Sequence, residues 1–177
     1  HLPFVRHPEH DEFLEEDWLY EAMLETYIPL LEVFAGLERD GIPFQITMTL
    51  TPPLCEMLSD PLLVSRFERY LRTLERLTHA ERRRTRHTPQ APCAQFYYDW
   101  IRQARQTFER WHCNLVSGFR HFQEIGSLEI VTCSGAHCML PLCATQEAAR
   151  AQLRLAVRNY QKHFGRSPRG IWLAECG

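Results

Sequence analysis

Three short apolar runs, separated by helix-like segments, most constrain what this chain can fold into. Residues 43–51 alternate apolar and polar side chains, which is the period of a β-strand. The second run is at residues 128–133 and the third at residues 171–173, bounded by glycine and proline as a short buried strand usually is. Because helical patterns lie between successive runs, the order predicts an α/β fold with a parallel sheet.

Polar residues follow each predicted strand. Thr51, His137 and Glu175 come after the three runs, and His1 stands where a strand preceding residue 1 would end. Crossover connections place the ends of successive parallel strands on one face. Glu175 is the carboxylate of the set, in the position where α/β barrels hold catalytic groups. These residues therefore predict a polar site at the strand ends, although position alone does not identify a substrate.

Helical spacing of apolar residues predicts the intervening elements. Pro29 either kinks the first helix or begins a second one. Asp60 and Thr145 are predicted N-caps, and Gly165 is a predicted helix stop. The two longest segments are expected to form an antiparallel hairpin inserted between strands. The helical segments are residues 14–40, 54–58, 61–84, 94–124 and 146–163.

The composition is that of one globular domain or part of a larger one. Of 177 residues, 45% are hydrophobic and 24% charged, and the net charge of −2 gives no indication of nucleic-acid or membrane partners. The arginine run at residues 82–84 is interpreted as a solvated helix end. No apolar stretch is long enough to span a bilayer, and residues 1–16 lack the pattern of a signal peptide. We therefore expect a cytoplasmic location.

Cysteine and histidine suggest metal binding in two places. Cys133, His137, Cys138 and Cys143 lie close together, but their spacings fit no common zinc pattern. The seven cysteines are therefore interpreted as free thiols. A second hypothesis is a metal-dependent, deacetylase-like barrel that uses His1, His7 and His137, which requires these ligands to converge.

Four segments resemble a known enzyme family. They are HLPFVRHPE at residues 1–9, EEDWLYEA at residues 15–22, TLTPPL at residues 49–54, and the stretch from FGR to ECG at residues 164–177. Their order and spacing resemble glycoside hydrolase family 57, most closely its 1,4-α-glucan branching enzymes. The resemblance covers essentially the whole chain.

The resemblance implies a fold and a reaction. Residues 1–177 would be the N-terminal portion of a seven-stranded (β/α) barrel with a long helical-hairpin insertion, incomplete at both ends. The activity implied is retaining cleavage of an α-1,4-glucan and transfer of the segment to a 6-hydroxyl, as in glycogen-like polymers, with no metal or organic cofactor. The alternatives are a 4-α-glucanotransferase, an amylase-type hydrolase of the same family, or a non-catalytic remnant of a truncated gene.

The resemblance also assigns residues. Glu175 matches the family's nucleophile, and His1 and His137 match histidines that hold the sugar. Trp172 belongs to the same strand motif as Glu175, with packing as its first expected role and sugar contact as its second. The family's acid/base aspartate would lie beyond Gly177, so residues 1–177 alone are predicted to be inactive. Ala174 replaces the usual proline, and Cys138 replaces the usual glycine and could narrow the sugar subsite.

Overall fold

A computed structural model describes residues 1–176, which form mainly α-helices around a small parallel sheet. A π-helical turn, Met23–Tyr27, joins the first two helices. Short 3₁₀ turns lie at Leu140–Leu142 and Ala174–Cys176. The elements are, in chain order, α1 (Leu14–Ala22), α2 (Ile28–Arg39), β1 (Ile46–Thr49), α3 (Pro52–Ser59), α4 (Pro61–Arg84), α5 (Ala91–Arg110), α6 (Leu115–Glu124), β2 (Leu128–Val131) and α7 (Gln146–Phe164).

The sheet is parallel, as the alternation of strands and helices predicted. β1 and β2 pair in register from Ile46 opposite Leu128 to Thr49 opposite Val131. The predicted third strand is reduced to one parallel bridge between Thr132 and Ile171. A seven-stranded barrel is not shown by residues 1–176.

The prediction of a buried third strand is wrong for the described chain. The side chains from Ile171 to Leu173 are each about half exposed. Two backbone hydrogen bonds attach this segment to the chain beyond β2. The N–H of Thr132 donates to the carbonyl of Gly170, and the N–H of Trp172 donates to the carbonyl of Thr132. One bridge fixes the path of the segment but does not bury its side chains.

Pro29 lies in the first turn of α2, as the second predicted alternative has it, although the chain remains helical through the junction with α1. The backbone stays right-handed helical at Met23, Tyr27 and Ile28, so α1 and α2 are continuous through the π-helical turn. Proline lacks the N–H that an α-helix would bond to the carbonyl four residues earlier. A wider turn just before Pro29 accommodates that missing bond.

The hairpin insertion is confirmed and consists of α4 and α5. Phe67 packs edge-on against Phe108, Arg105 pairs with Glu75, and Arg82 lies over the ring of Tyr98. In these three contacts the residue numbers increase along α4 and decrease along α5, so the two helices are antiparallel. Asp60 caps α4 as predicted, because its Oδ1 accepts from the N–H groups of Leu62 and Leu63.

The single helix expected over residues 94–124 is wrong. His112 and Cys113 have φ values of 54° and 57°, the left-handed region, which ends α5. Asn114 then caps α6, with its side-chain oxygen accepting from the N–H of Ser117 at 3.3 Å. The break directs α6 against β2, where Phe119 and Phe122 are fully buried.

One hydrophobic core joins the sheet to the helices around it. Tyr160 on α7 is buried, and its hydroxyl donates to the carbonyl of Ile130 in β2 at 2.8 Å. Thr145 caps α7 as predicted, and Gly165 ends it at a φ of 68° that favours glycine. The largest fully buried core side chains include Leu19, Ile28, Leu31, Leu54, Met57, Phe67, Phe108, Phe119, Phe122 and Tyr160.

Candidate functional site

The residues predicted to gather at the strand ends lie together. Thr51 follows β1, His137 lies six residues beyond β2, and Glu175 follows the bridge at Ile171. His1 reaches the same place from the N-terminal segment and contacts the hydroxyl of Thr51 with its Nδ1 at 3.3 Å. The parallel order of the strands therefore brings Thr51, His137 and Glu175 to one edge, and the N-terminal segment adds His1.

His1 and His137 form the centre of this cluster. Their rings stack with centroids 3.5 Å apart and planes 4° apart. The side chain of His137 is 13% exposed, whereas His1 is exposed and covers it on the solvent side. Imidazole N–H groups at this place can donate to the hydroxyl groups of a bound ligand.

The turn before His137 is docked on α7. The backbone N–H groups of Gly135 and Ala136 donate to the carbonyl and side-chain oxygens of Gln152. A Cβ atom on Gly135 would lie 2.9 Å from the side chain of Leu155. The absence of a side chain at Gly135 therefore lets the backbone approach α7. Gly135 thus helps to fix His137 in place.

Glu175 presents a nearly free carboxylate to the cluster. Its side chain is 73% exposed, and Oε1 lies 4.0 Å from Nδ1 of His137. The backbone is left-handed, with φ 53° and ψ 23°, in a turn closed by the hydrogen bond from Cys176 to Leu173. Such a conformation costs a non-glycine residue about 1–3 kcal/mol. Ala174 is buried and anchors this turn.

Trp172 is largely exposed within residues 1–176. Its backbone N–H donates to the carbonyl of Thr132 at 2.8 Å, but the residue is 56% exposed. Within residues 1–176 the indole is therefore not buried, and its packing role stays a prediction. Contact of the indole with a sugar stays a prediction.

A buried ion pair that the sequence interpretation missed holds the N-terminal segment in place. Glu16 lies in the first turn of α1. Its side chain is 2% exposed and accepts from Arg66 of α4 at 2.5 Å, from the N–H of His7 at 3.0 Å and from the hydroxyl of Tyr20 at 2.8 Å. Arg66 also donates to the carbonyls of His7 and His10. The segment that carries His1 is thus fixed to both helices.

The hydrogen bonds of this pair control its ionisation. Burial favours the neutral form of Glu16, but the bonds from Arg66, the His7 N–H and Tyr20 outweigh it and lower the pKa of the carboxyl group. Burial and the bond to the Glu16 carboxylate raise the pKa of Tyr20. Glu16 is therefore a structural carboxylate that is held charged.

The two metal hypotheses gain no support from the geometry. The ring of His7 stacks on Phe13, with centroids 3.7 Å apart, and not on the His1–His137 pair. Cys133 is buried, whereas Cys138 and Cys143 face each other with Sγ atoms 3.9 Å apart. Within residues 1–176, no group of three or more histidine, cysteine or acidic side chains is placed to hold a metal ion.

Two further expectations concern partners. In the arginine run, Arg84 pairs with Glu81 and Arg82 lies over Tyr98, as in a solvated helix end. No helix within residues 1–176 combines the length and the apolar character needed to cross a bilayer.

Curated relatives and solved structures resemble this chain along its full length. The 1,4-alpha-glucan branching enzyme of Thermococcus kodakarensis is 33% identical over an alignment of 177 positions that covers 99% of this chain and 26% of that protein. This chain therefore spans about a quarter of the length of that curated relative. The alpha-amylase AmyC from Thermotoga maritima is 46% identical with a TM-score of 0.95, covering 100% of this chain and 34% of that one.

A branching-enzyme structure matches almost as well. The GH57-type branching enzyme from Pyrococcus horikoshii is 34% identical with a TM-score of 0.92, covering 99% of this chain and 33% of that one. The sequence profile described as Glycosyl hydrolase family 57 matches residues 1–177. The chain therefore belongs to glycosyl hydrolase family 57.

Proposed function

We propose that the protein to which this chain belongs is a retaining α-glucan enzyme in which Glu175 is the nucleophile. The observation that supports it best is the approach of the Glu175 carboxylate to within 4.0 Å of His137, beside the His1–His137 stack. A nucleophilic carboxylate has to be ionised and accessible, and this one is largely exposed. His1 and His137 hold the sugar by its hydroxyl groups, and Trp172 offers an apolar surface beside them.

The proposed mechanism has two displacements. Glu175 attacks the anomeric carbon, the glycosidic bond breaks, and an acid protonates the departing oxygen. In the second step the same group, now a base, takes the proton from a 6-hydroxyl, whose oxygen displaces Glu175 and forms an α-1,6 branch. Retaining enzymes need the two carboxyl groups about 5–5.5 Å apart. We assign the acid/base role to an aspartate outside residues 1–177.

Branching is the first candidate because the relatives from Thermococcus and Pyrococcus are named as branching enzymes. An amylase-type hydrolase is the second, since the AmyC structure has the higher identity, 46%. A 4-α-glucanotransferase shares the same first step. The candidates differ in what attacks the glycosyl-enzyme: a 6-hydroxyl, water or a 4-hydroxyl.

Product analysis of the full-length protein separates these candidates. Branching of amylose lowers its iodine absorbance, and a debranching enzyme then releases short chains without a large rise in reducing ends. Hydrolysis raises reducing ends from the start, and 4-α-transfer gives products that resist debranching. Glu175→Gln is expected to abolish every one of these activities. Glu12→Gln, a change at an exposed loop carboxylate, is the matched control.

The isolated chain provides a separate test. We propose that residues 1–177 alone do not turn over glucan, because the second carboxyl group is assigned elsewhere. Measurable cleavage or branching by this piece would contradict that assignment. The gene downstream of Gly177 separates an enzyme from a non-catalytic remnant, since an open frame with a further aspartate motif favours the enzyme. A cytoplasmic location stays part of the proposal.

A further inference from the structure

The loop from Thr132 to Thr145 contains a pair of thiols that the proposed reaction does not use. Cys138 directly follows His137, and its Sγ atom is 3.9 Å from the Sγ atom of Cys143. Both residues are partly exposed and both thiols are free. The third cysteine of the loop, Cys133, is fully buried, and its Sγ atom lies 3.9 Å from the hydroxyl of Ser134.

The local fold brings these two thiols together. The 3₁₀ turn at Leu140–Leu142 reverses the chain, with hydrogen bonds from Leu142 to Met139 and from Cys143 to Leu140. Only four residues separate the two cysteines, so closing a bond between them orders little additional chain. Leu142 is 76% exposed, and the loop faces solvent on this side. A small soluble oxidant can therefore reach the pair.

We propose that Cys138 and Cys143 form a reversible disulfide, by exchange with a small disulfide of the glutathione class, and that this bond displaces His137 in the candidate site. One cysteine thiolate attacks the small disulfide, forms a mixed disulfide and releases one small thiolate. The second cysteine, as its thiolate, attacks the protein sulfur of that mixed disulfide and releases the other small thiolate. The pair loses two electrons and two protons, and the small disulfide becomes two thiols.

Bond formation has a direct route to His137. The two Sγ atoms have to approach each other by roughly 2 Å, because a disulfide bond is about 2.05 Å long. The carbonyl of Cys138 is held by the hydroxyl of Ser134 at 2.8 Å, and Gly135 is docked on α7. The N–H of His137 donates to the carbonyl of Ser134, so Cys138 and His137 are tied to the same short turn and a shift of Cys138 is passed to His137. His137 has a left-handed φ of 54° and stacks on His1, so its ring position depends on this backbone.

Peptide analysis tests the bond without any assay of activity. The full-length protein is equilibrated in mixtures of reduced and oxidised glutathione, quenched in acid, alkylated and digested with trypsin. One peptide, residues 121–150, contains Cys133, Cys138 and Cys143. Under oxidation we expect it to carry one disulfide in place of two alkyl groups and to keep the label on Cys133, and we expect dithiothreitol to restore alkylation at all three cysteines.

Variants locate the bond. Cys143→Ser should abolish the oxidised peptide, whereas Cys93→Ser, at an exposed cysteine of α5, should leave it unchanged. Alkylation of all three cysteines at every glutathione ratio overturns the proposal. In the wild-type protein, a stable mixed disulfide or a disulfide that includes Cys133 overturns it as well.

The effect on the site rests on the proposed function and is measured separately. Oxidation should lower glucan turnover by on the order of 10- to 100-fold, as expected when a positioning group moves by about 1 Å. The Cys143→Ser enzyme should keep its activity under both conditions. A disulfide that forms without changing turnover overturns the link to His137. If the reduced enzyme acts on no glucan, the proposed function fails. The disulfide proposal is then decided by the peptide result and by whether oxidation shifts the nuclear magnetic resonance signals of the His137 ring.

Discussion

The carboxylate of Glu16 is buried between two helices, whereas the carboxylate of Glu175 lies in solvent at the edge of the sheet. Glu16 is 2% exposed and accepts three kinds of hydrogen bond, from a guanidinium, a backbone N–H and a phenol. Glu175 is 73% exposed, and its contact with His137 is 4.0 Å long. The same side chain is thus committed to the fold in one place and left available for chemistry in the other.

The backbone conformations of Glu16 and Glu175 also differ. Glu16 is in the first turn of α1, an unstrained helical position where an acid is favourable. Glu175 has a left-handed backbone conformation, which is energetically unfavourable for a residue other than glycine. A strained, exposed carboxylate suggests a functional role, whereas a relaxed, fully bonded one suggests a structural role. The following predictions test this division.

The largest expected effect is on turnover. Glu175→Gln in the full-length enzyme should lower turnover on the order of 10³-fold or more, because no group remains to form the glycosyl-enzyme. The free energy of unfolding should change by no more than about 0.5 kcal/mol, since the side chain is exposed. Steady-state rates and urea denaturation measure the two quantities. Normal turnover would remove the nucleophile assignment, and a large loss of stability would make Glu175 structural.

The next effect is on stability. Arg66→Met leaves the Glu16 carboxylate buried without its cation, and breaking such a pair typically costs 3–5 kcal/mol. We expect the free energy of unfolding to fall by about 3 kcal/mol, the lower end of that range, because His7 and Tyr20 still donate to Glu16. Urea denaturation measures the loss. The matched control is Arg72→Met, which changes an exposed arginine on the same helix. Equal stability of the two variants would mean that Glu16 is not an anchor.

The sequence predicted the parts of the fold that depend on local patterns. The strand at residues 46–49, the caps Asp60 and Thr145 and the stop at Gly165 depend on periodicity and on side chains within a few positions. The meeting of His137 and Glu175 was also predictable, because parallel strands present their ends on one edge.

The errors occurred where tertiary contacts decide. Glu16 and Arg66 are 50 residues apart, so no local pattern connects them. The helix break at His112 uses two left-handed non-glycine residues, which propensity does not predict. The apolar run at residues 171–173 resembled a buried strand, but burial depends on what packs against it. Of these errors, only the helix break could have been read from the sequence, because Asn114 is a typical cap residue in the middle of a helical pattern.

A smaller effect isolates one hydrogen bond of the anchor. Tyr20→Phe removes the hydroxyl that donates to Glu16, and hydrogen bonds to charged groups contribute about 1.5–3 kcal/mol. We expect a loss of about 1.5 kcal/mol, because the bonds from Arg66 and His7 remain. Tyr27→Phe is the control, since its hydroxyl bonds to no group within residues 1–176. Equal losses in the two variants would show that the phenol contributes only by packing.

The smallest expected effect is a change with pH. Because its hydrogen bonds lower the pKa of Glu16 in the folded state, its contribution is complete above the unfolded pKa of about 4.3 and is lost as the pH falls through the folded pKa. The stability difference between wild type and Arg66→Met should therefore narrow from about pH 5 to about pH 3. Arg72→Met should stay close to wild type throughout. Denaturation curves at each pH measure the gap, and a constant gap down to pH 3 would mean that Glu16 is not held charged by Arg66.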